Sequence, residues 1–220
     1  MKKLSQLKNN VGIDTLSRIA VAFSFAFSLP LVGCSPLQPL KSSNIKTYAI
    51  EAQFSSITNN TGELTLLVNT PSARSGFESA RMIYLKKPHE IDHFAQSQWV
   101  DSPARMLAPL LLQALESTAK YRSVIPVRSA AAAELRLDTE IIRLQHEFLT
   151  RPSQIHLTVR AQLIDLRNKS VLATREFDVT EEADSDDPYG GVIATNRAVK
   201  IVLQQIADFC AREVKAGKSE

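Results

Sequence analysis

The stretch RMIYLKKPHEIDHFAQSQWVDSPARMLAPLLLQALESTAKYRSVIP, residues 81–126, contains the changes of pattern that decide the fold. Two strand-like segments, Arg81–Leu85 and Ile91–Val100, flank the break Lys86-Lys87-Pro88 and predict two neighbouring β-strands. A third short strand is predicted at Ser123–Val127. The residues between these strands have the spacing of an amphipathic helix.

The helix start lies at Ser102 and Pro103, because serine caps helices and proline suits the first turn. The pattern continues through residues 105–120, and Pro109 inside it predicts a kink or a later start. The apolar positions that share one stripe of this helix are Leu107, Leu111, Leu115 and Thr118 with Ala119.

The remaining chain adds further strands and one long helix. In Gln154–Leu166, apolar residues alternate with polar ones, as expected of a half-buried antiparallel strand. Its neighbours Glu134–Phe148 and Val171–Thr180 are also strand-like, and residues 167–170 form a hairpin connection. Earlier strands are predicted where Tyr48, Ile50, Ala52 and Phe54 share one parity, and at Leu64, Leu66 and Val68.

A final helix runs to about Val214, with Cys210 on its apolar side. The order of strands, helix, strands and helix predicts the α+β class: a single twisted, mostly antiparallel sheet with two main helices packed on one face.

The composition excludes some classes of protein. The chain has 220 residues, of which 44% are hydrophobic and 22% charged, which is typical of a globular domain. The net charge of +3 comes from the first 33 residues, and the rest carries equal numbers of acids and bases. A nucleic-acid binder needs a basic face, so no nucleic-acid partner is predicted.

The first 33 residues are typical of an export signal. A cationic leader precedes Ile19–Gly33, which has 15 residues without a charge and contains Pro30. A membrane-spanning helix needs roughly 20 apolar residues, so the run is too short for one. A short membrane anchor or a buried helix is the alternative interpretation of this segment.

The signal ends in Leu31, Val32, Gly33 and Cys34, which resemble a bacterial lipobox. The resemblance implies cleavage before Cys34 and attachment of fatty chains such as palmitate, and several chains give a lasting anchor. Ser35, where an aspartate would retain the protein at the inner membrane, favours the outer membrane with the domain on its periplasmic face. The predicted organisation is signal peptide 1–33, lipid anchor and flexible tether 34–46, periplasmic domain 47–215 and tail 216–220.

The motif that most suggests catalysis is His89-Glu90-Ile91-Asp92-His93. It matches the H-E-x-x-H pattern of zinc peptidases, in which His89 and His93 would bind the metal and Glu90 would act as the base. That geometry requires a helix, whereas residues four apart in a strand lie roughly 13 Å from each other. Since the surroundings predict a strand, we expect neither a metal nor a catalytic site here.

The other polar features have structural explanations. His146 and His156 fall in the predicted sheet and are expected to face solvent. The acidic segment 181–187 lacks the glycine and terminal glutamate of an EF-hand and is expected to precede a helix start. Trp99 has two interpretations: it packs beneath the first helix, or it contacts a lipid or partner near the sheet edge.

Arg81, Tyr84, Trp99, Pro103, Leu107 and the run Leu110–Leu112 together resemble the auxiliary lipoprotein component of ABC-type transport systems. The segments 133–138 and 186–191 resemble it as well. The resemblance covers roughly residues 48–209.

The resemblance implies a protein without catalytic residues or cofactors. Its partners would be an MCE-domain substrate-binding protein and an ABC permease, and its cargo phospholipid or another hydrophobic molecule. Tyr84 and Trp99 would be partner or lipid contacts, and a homo-oligomer is possible in such a system. Two alternatives stay open: a structural or assembly lipoprotein of the envelope without a transport partner, and a zinc metallopeptidase.

Overall fold

The computed structural model describes residues 44–55 and 60–216. The predicted signal peptide, the lipobox with Cys34 and most of the tether therefore lie outside the described residues. The strands are β1 (Lys46–Tyr48), β2 (Thr65–Val68), β3 (Ser72–Ala73), β4 (Arg81–Lys87), β5 (Glu90–Trp99), β6 (Ser123–Pro126), β7 (Leu135–Glu147), β8 (Gln154–Asp165) and β9 (Ser170–Glu182), and the helices are α1 (Pro103–Glu116) and α2 (Pro188–Ala216).

Strand β7 is the centre of the sheet. On one side it pairs along its whole length with antiparallel β8, which in turn pairs with antiparallel β9. On the other side three strands follow one another along β7 in parallel: β2, then β3, then β4 near its end. One long strand thus holds the two halves of the chain together.

The outer strands complete a mixed sheet. Strand β5 is antiparallel to β4, β6 is parallel to β2, and β1 is parallel to the end of β5. The long pairings are therefore antiparallel, and the parallel ones involve short stretches. The predicted α+β class is confirmed. The short parallel pairings could not be predicted from the alternation of apolar and polar residues.

Both helices contribute to one hydrophobic core on the sheet. Leu107 and Leu111 of α1, Val202 and Ile206 of α2, and Leu157 of β8 are each at most 1% exposed and belong to the same cluster. Burying a leucine-sized side chain contributes about 1.5–3 kcal/mol, so this shared core is the main source of stability. None of the described helices is both long and apolar enough to cross a membrane.

The expectation that His146 faces solvent was wrong, because its side chain is only 2% exposed. The cause is a bulge in β7 between Ile141 and Arg143. Before it, odd-numbered residues such as Leu137 face the helices, and after it the even-numbered Leu144 and His146 do so. A single irregularity of this kind inverts the alternation of the rest of a strand.

Helix α1 begins at Pro103, as predicted, and continues through Pro109. The alternative prediction, that Pro109 delays the start of the helix, is therefore wrong. A proline removes the hydrogen bond to the carbonyl four residues earlier. Here that residue is Arg105, and both Arg105 and Pro109 are exposed, so water can solvate the free carbonyl. The helix ends at Glu116, four residues before the predicted end.

The first predicted strand is much shorter than its alternation indicated. Only Lys46–Tyr48 pairs with a neighbour, although burial still alternates onwards and Ile50 is 5% exposed. After β1 the chain lies over the core without a strand partner, and the backbone amide of Glu51 donates to Oδ1 of Asn196 at 3.0 Å. The alternating pattern in this segment reflects burial of every second side chain against the core and not pairing with another strand.

Candidate functional site

The residues of the H-E-x-x-H motif lie in a turn and a strand. His89 has a positive φ of 66° in the turn after β4, and Glu90 and His93 belong to β5. Glu90 forms an exposed ion pair with Lys87 at 3.5 Å. The helical turn that would bring the two histidines together is replaced by extended backbone. Among residues 44–55 and 60–216, no group of three potential ligands is placed to hold a metal ion.

Tyr84 belongs to a cluster of aromatic rings at the end of β4. Its ring lies 4.6 Å from that of Phe94 and 6.0 Å from that of Phe148, measured between centroids, and His146 lies 4.2 Å from Phe148. The hydroxyl of Tyr84 donates to Oδ2 of Asp92 at 2.7 Å. That hydrogen bond raises the pKa of Tyr84 and lowers the pKa of Asp92. The cluster is half-buried and lies between two turns of the sheet.

His146 connects this cluster to the start of α2. Its Nε2 lies 2.8 Å from Oγ of Ser153, whose backbone amide donates to Oδ1 of Asp186 at 2.9 Å. Its Nδ1 is buried without a hydrogen-bond partner and faces Gly191, where a Cβ atom would lie only 2.6 Å away. Burial lowers the pKa of His146 to about 4, so the ring is neutral at physiological pH.

The start of α2 confirms the prediction that the acidic segment precedes a helix. Asp187 accepts a hydrogen bond on Oδ1 from the amide of Gly190 at 2.9 Å, which is the geometry of an N-cap. Ser185 donates to the second oxygen of Asp187 at 3.0 Å. Arg197 forms ion pairs with Glu181 and Asp184 at 3.1 and 2.8 Å. The carboxylates are thus engaged within the fold.

Trp99 lies in the core and is 4% exposed. It lines a small apolar gap together with Phe94, His146 and Gly191. Trp99 is therefore a core residue, and the helix residues that line this gap with it belong to α2 and not to α1. A direct contact between Trp99 and a lipid or partner stays a prediction, and Tyr84 is the more accessible of the two residues.

A cleft of about 410 Å³ lies at the end of α1, between that helix, β6 and the chain around Phe54. It is lined by apolar and polar side chains, among them Leu115, Val124, Glu116 and Tyr121. Tyr121 is 2% exposed, and its hydroxyl has no hydrogen-bond partner. Ligand clefts commonly have a few hundred Å³ and a small number of polar groups, so this cleft can hold a small amphiphilic molecule.

The opposite face of the sheet carries a polar network that the sequence analysis missed. His156 lies 3.1 Å from Oε1 of Glu147 and 2.9 Å from Oδ1 of Asp178, and Nη1 of Arg143 lies 3.2 Å from its Nδ1. Thr158 donates to the same Asp178. Cross-strand pairing of β7, β8 and β9 brings these residues together, and only knowledge of the register could have shown this.

The chemistry open to these groups is limited by burial. Ser153 lies beside a histidine but is completely buried, so no substrate can reach its hydroxyl without local opening. Burial also raises the pKa of the Cys210 thiol to about 12. Such a thiol is unreactive at neutral pH, because the thiolate is the nucleophilic form. The described surface instead offers non-covalent contacts: the aromatic cluster, the cleft and the polar face.

Comparison with known proteins gives one family. A family model described as "ABC-type transport auxiliary lipoprotein component" matches residues 48–207, which include β2 to β9, all of α1 and most of α2. No protein of curated function matches the sequence at a significant level.

Solved structures support the fold. A Xanthomonas campestris protein of the family DUF330 is similar with a TM-score of 0.71 and 18% identity, over 80% of this chain and 100% of that one. An uncharacterised protein is similar with a TM-score of 0.59 and 12% identity, over 78% and 99% of the two chains. At these identities the similarity concerns the fold alone.

Proposed function

The chain belongs to the ABC-type transport auxiliary lipoprotein family, and from this membership we propose that it is an outer-membrane-anchored, periplasmic component of an MCE-type ABC lipid transport system. The observation that carries the proposal is the match of the family model over residues 48–207, which include β2 to β9, all of α1 and most of α2. The lipobox-like tetrad Leu31–Cys34 supports it independently, because an auxiliary lipoprotein needs a site for its lipid.

The anchor would be Cys34, with fatty chains that hold the protein in the inner leaflet of the outer membrane. One acyl chain gives only reversible membrane binding, and several give stable attachment. The role would be non-catalytic, since the buried Ser153 and Cys210 serve the core rather than a reacting molecule. The domain would dock on an MCE-domain protein and its permease, or receive lipid from them.

A substitution in the cleft beside Tyr121 can distinguish a docking role from a role in lipid hand-off. An acyl chain could lie against the half-buried Phe54 and Val124, which line the cleft. Filling the cleft by Val124→Trp should abolish lipid co-purification and leave partner binding intact if lipid is handed to this chain. Val171→Trp, at an exposed position of β9 outside the cleft, is the matched control.

The decisive experiment is affinity purification of the tagged full-length protein from membranes. Mass spectrometry of its N-terminus should show an acylated Cys34, fractionation should place it in the outer membrane, and MCE and permease subunits should co-purify with phospholipid. Cys34→Ser should release the protein from the membrane. An acylated protein that captures no transport subunit would overturn the proposal in favour of a structural envelope lipoprotein.

A further inference from the structure

Two turns of the sheet lie side by side at one end. Strand β4 runs parallel to the end of β7, with Tyr84 opposite His146 and Leu85 opposite Glu147. The amide of Phe148 donates to the carbonyl of Leu85 at 2.8 Å. The turn between β4 and β5 and the turn between β7 and β8 therefore project from the same end of the domain.

Apolar side chains are exposed on these turns. Ile91 is 54% exposed and Leu149 is 43% exposed. The half-buried rings of Tyr84, Phe94 and Phe148 belong to the same end of the sheet, and Phe148 precedes Leu149 in the chain. We call these five residues the apolar tip.

The residue types of the tip are typical of protein surfaces that lie at the interface between water and a membrane. Aromatic rings and long apolar side chains are enriched at the depth of membrane headgroups, where lysine stems lie along them and keep the ammonium in water. Lys86 has this arrangement, with Nζ 5.2 Å from the centroid of the Tyr84 ring. A tip of this kind can enter the hydrated headgroup region, where water still satisfies the free edge of β5 along residues 90–96, which among the described strands pair only with β4.

The charges near the tip favour no strongly charged partner. Lys86 and Lys87 are balanced by Glu90 and Asp92 in the first turn, and the second turn adds Arg151. The nearby acids between β9 and α2 are engaged with Arg197, Ser153 and the amides that start the helix. Contact with the tip should therefore depend on apolar burial and only weakly on salt.

The direction of β1 shows from which side the first described residues reach the sheet. Strand β1 is parallel to β5, with Lys46 opposite Ser97, so Asn44 and Ile45 lie towards the β4–β5 turn. Ten residues from Cys34 to Ser43 precede the described chain. Even fully extended they span at most about 35 Å, so an acylated Cys34 would hold Asn44 within about that distance of the membrane.

We propose that the apolar tip inserts into the phospholipid headgroup region of the membrane that holds the anchor. The inference rests on the proposed acylation of Cys34, and it adds a second attachment point. One point would leave the domain free to rotate about its tether. Two points fix its orientation, so that the opposite end of the sheet, at the β8–β9 turn, faces away from the membrane.

Environment-sensitive fluorescence on the acylated mature chain tests this orientation. A nitrobenzoxadiazole label is attached at Leu149→Cys or, as control, at Val171→Cys. Val171 is 53% exposed and lies in β9 opposite Ile164, at the far end of β8. The two positions are separated by about 35 Å along that strand. Cys210 is fully buried and stays unlabelled in the folded protein.

In vesicles of phosphatidylethanolamine and phosphatidylglycerol, the label at position 149 should shift its emission to the blue and be quenched by brominated lipid. The label at position 171 should do neither. If both labels stay in water while the chain is acylated and membrane-bound, the inference is overturned and the proposed anchoring stands. A blue shift at position 149 that needs a partner protein would also overturn it.

A second measurement does not depend on acylation. The predicted mature chain, residues 34–220, carrying Cys34→Ser and lacking the apolar export signal, should co-sediment weakly with the same vesicles, to a similar extent at low and high salt. Adding Ile91→Ser and Leu149→Ser should reduce this binding on the order of tenfold, because two apolar side chains are lost from the contact. Adding Val171→Ser should leave it unchanged. Equal binding by all three proteins would contradict the proposal, and urea unfolding confirms that each is folded.

Discussion

The imidazole of His146 shares a 2.8 Å hydrogen bond, through Nε2, with the hydroxyl of Ser153. Ser153 stands in the turn after β7, and its amide in turn bonds Asp186 before α2. The contact therefore joins the β7–β8 turn to the start of the long helix. It is buried, and the other ring nitrogen is packed against the backbone at Gly191.

Gly191→Ala should destabilise the protein even though alanine is the better helix former by about 1 kcal/mol. The added Cβ would lie 2.6 Å from Nδ1 and 2.9 Å from Cε1 of His146. Overpacking of this kind costs about 1–3 kcal/mol, measured as the free energy of unfolding in urea. In a His146→Ala background the same substitution should cost much less, and equal costs in both backgrounds would contradict the proposed clash.

The stability of the protein should fall as the pH decreases from about 6.5 towards about 4. Burial lowers the pKa of His146 to about 4, against the opposing effect of the Asp186 and Asp187 carboxylates. In that interval His146 binds a proton in the unfolded chain but stays neutral in the folded chain, so a decrease in pH favours unfolding. The contribution is on the order of 2 kcal/mol.

The measurement compares urea midpoints at about pH 7 and about pH 5, where ordinary carboxylates are still ionised. His146→Gln should reduce the loss of stability between these two values, although the variant starts from a lower stability. A pH dependence identical to that of the natural sequence would show that His146 is not the titrating group.

Tyr121→Phe should leave the stability unchanged or increase it. The hydroxyl of Tyr121 is buried without a partner, and an unsatisfied polar group costs roughly 1–3 kcal/mol. Its removal keeps the ring and the packing. A loss of more than about 1 kcal/mol in thermal or urea unfolding would mean that the hydroxyl does have a partner, such as water or a molecule in the cleft.

Asp187→Ala should destabilise α2 by about 1 kcal/mol, because the amide of Gly190 loses its acceptor. Asp187→Asn retains an acceptor and should cost less than half as much. Urea unfolding monitored by circular dichroism measures both. Equal losses in the two variants would indicate that charge, rather than the cap hydrogen bond, stabilises this end of the helix.

The long strands and both helices could be predicted from sequence because each has one continuous pattern. Strand β8 keeps Leu157 and Leu163 on the buried face without interruption, and Pro103 and Asp187 are local helix-start signals that need no tertiary information. These elements depend on residues near each other in the chain, so the pattern of the chain is enough to predict them.

The remaining features depend on contacts between distant residues. The bulge after Ile141 has no local sequence signal, so the burial of His146 could not be predicted. The alternation at Tyr48–Phe54 showed that one side packs inwards but could not show that only β1 has a strand partner. The cleft beside Tyr121 needs α1 and β6 to meet, and a single sequence does not give their arrangement.

The parallel pairing of β2 with β7 also has a consequence for the order of folding. Thr65 and Glu134 stand 69 residues apart and are joined by a 2.7 Å hydrogen bond. Closing so long a loop is slow, whereas the adjacent β7–β8–β9 hairpins form from local contacts. The first half of the chain has no completed sheet to join until β7 has emerged. If the chain is exported unfolded, as the proposed acylation of Cys34 implies, this order of folding would keep it from collapsing before it has crossed the membrane.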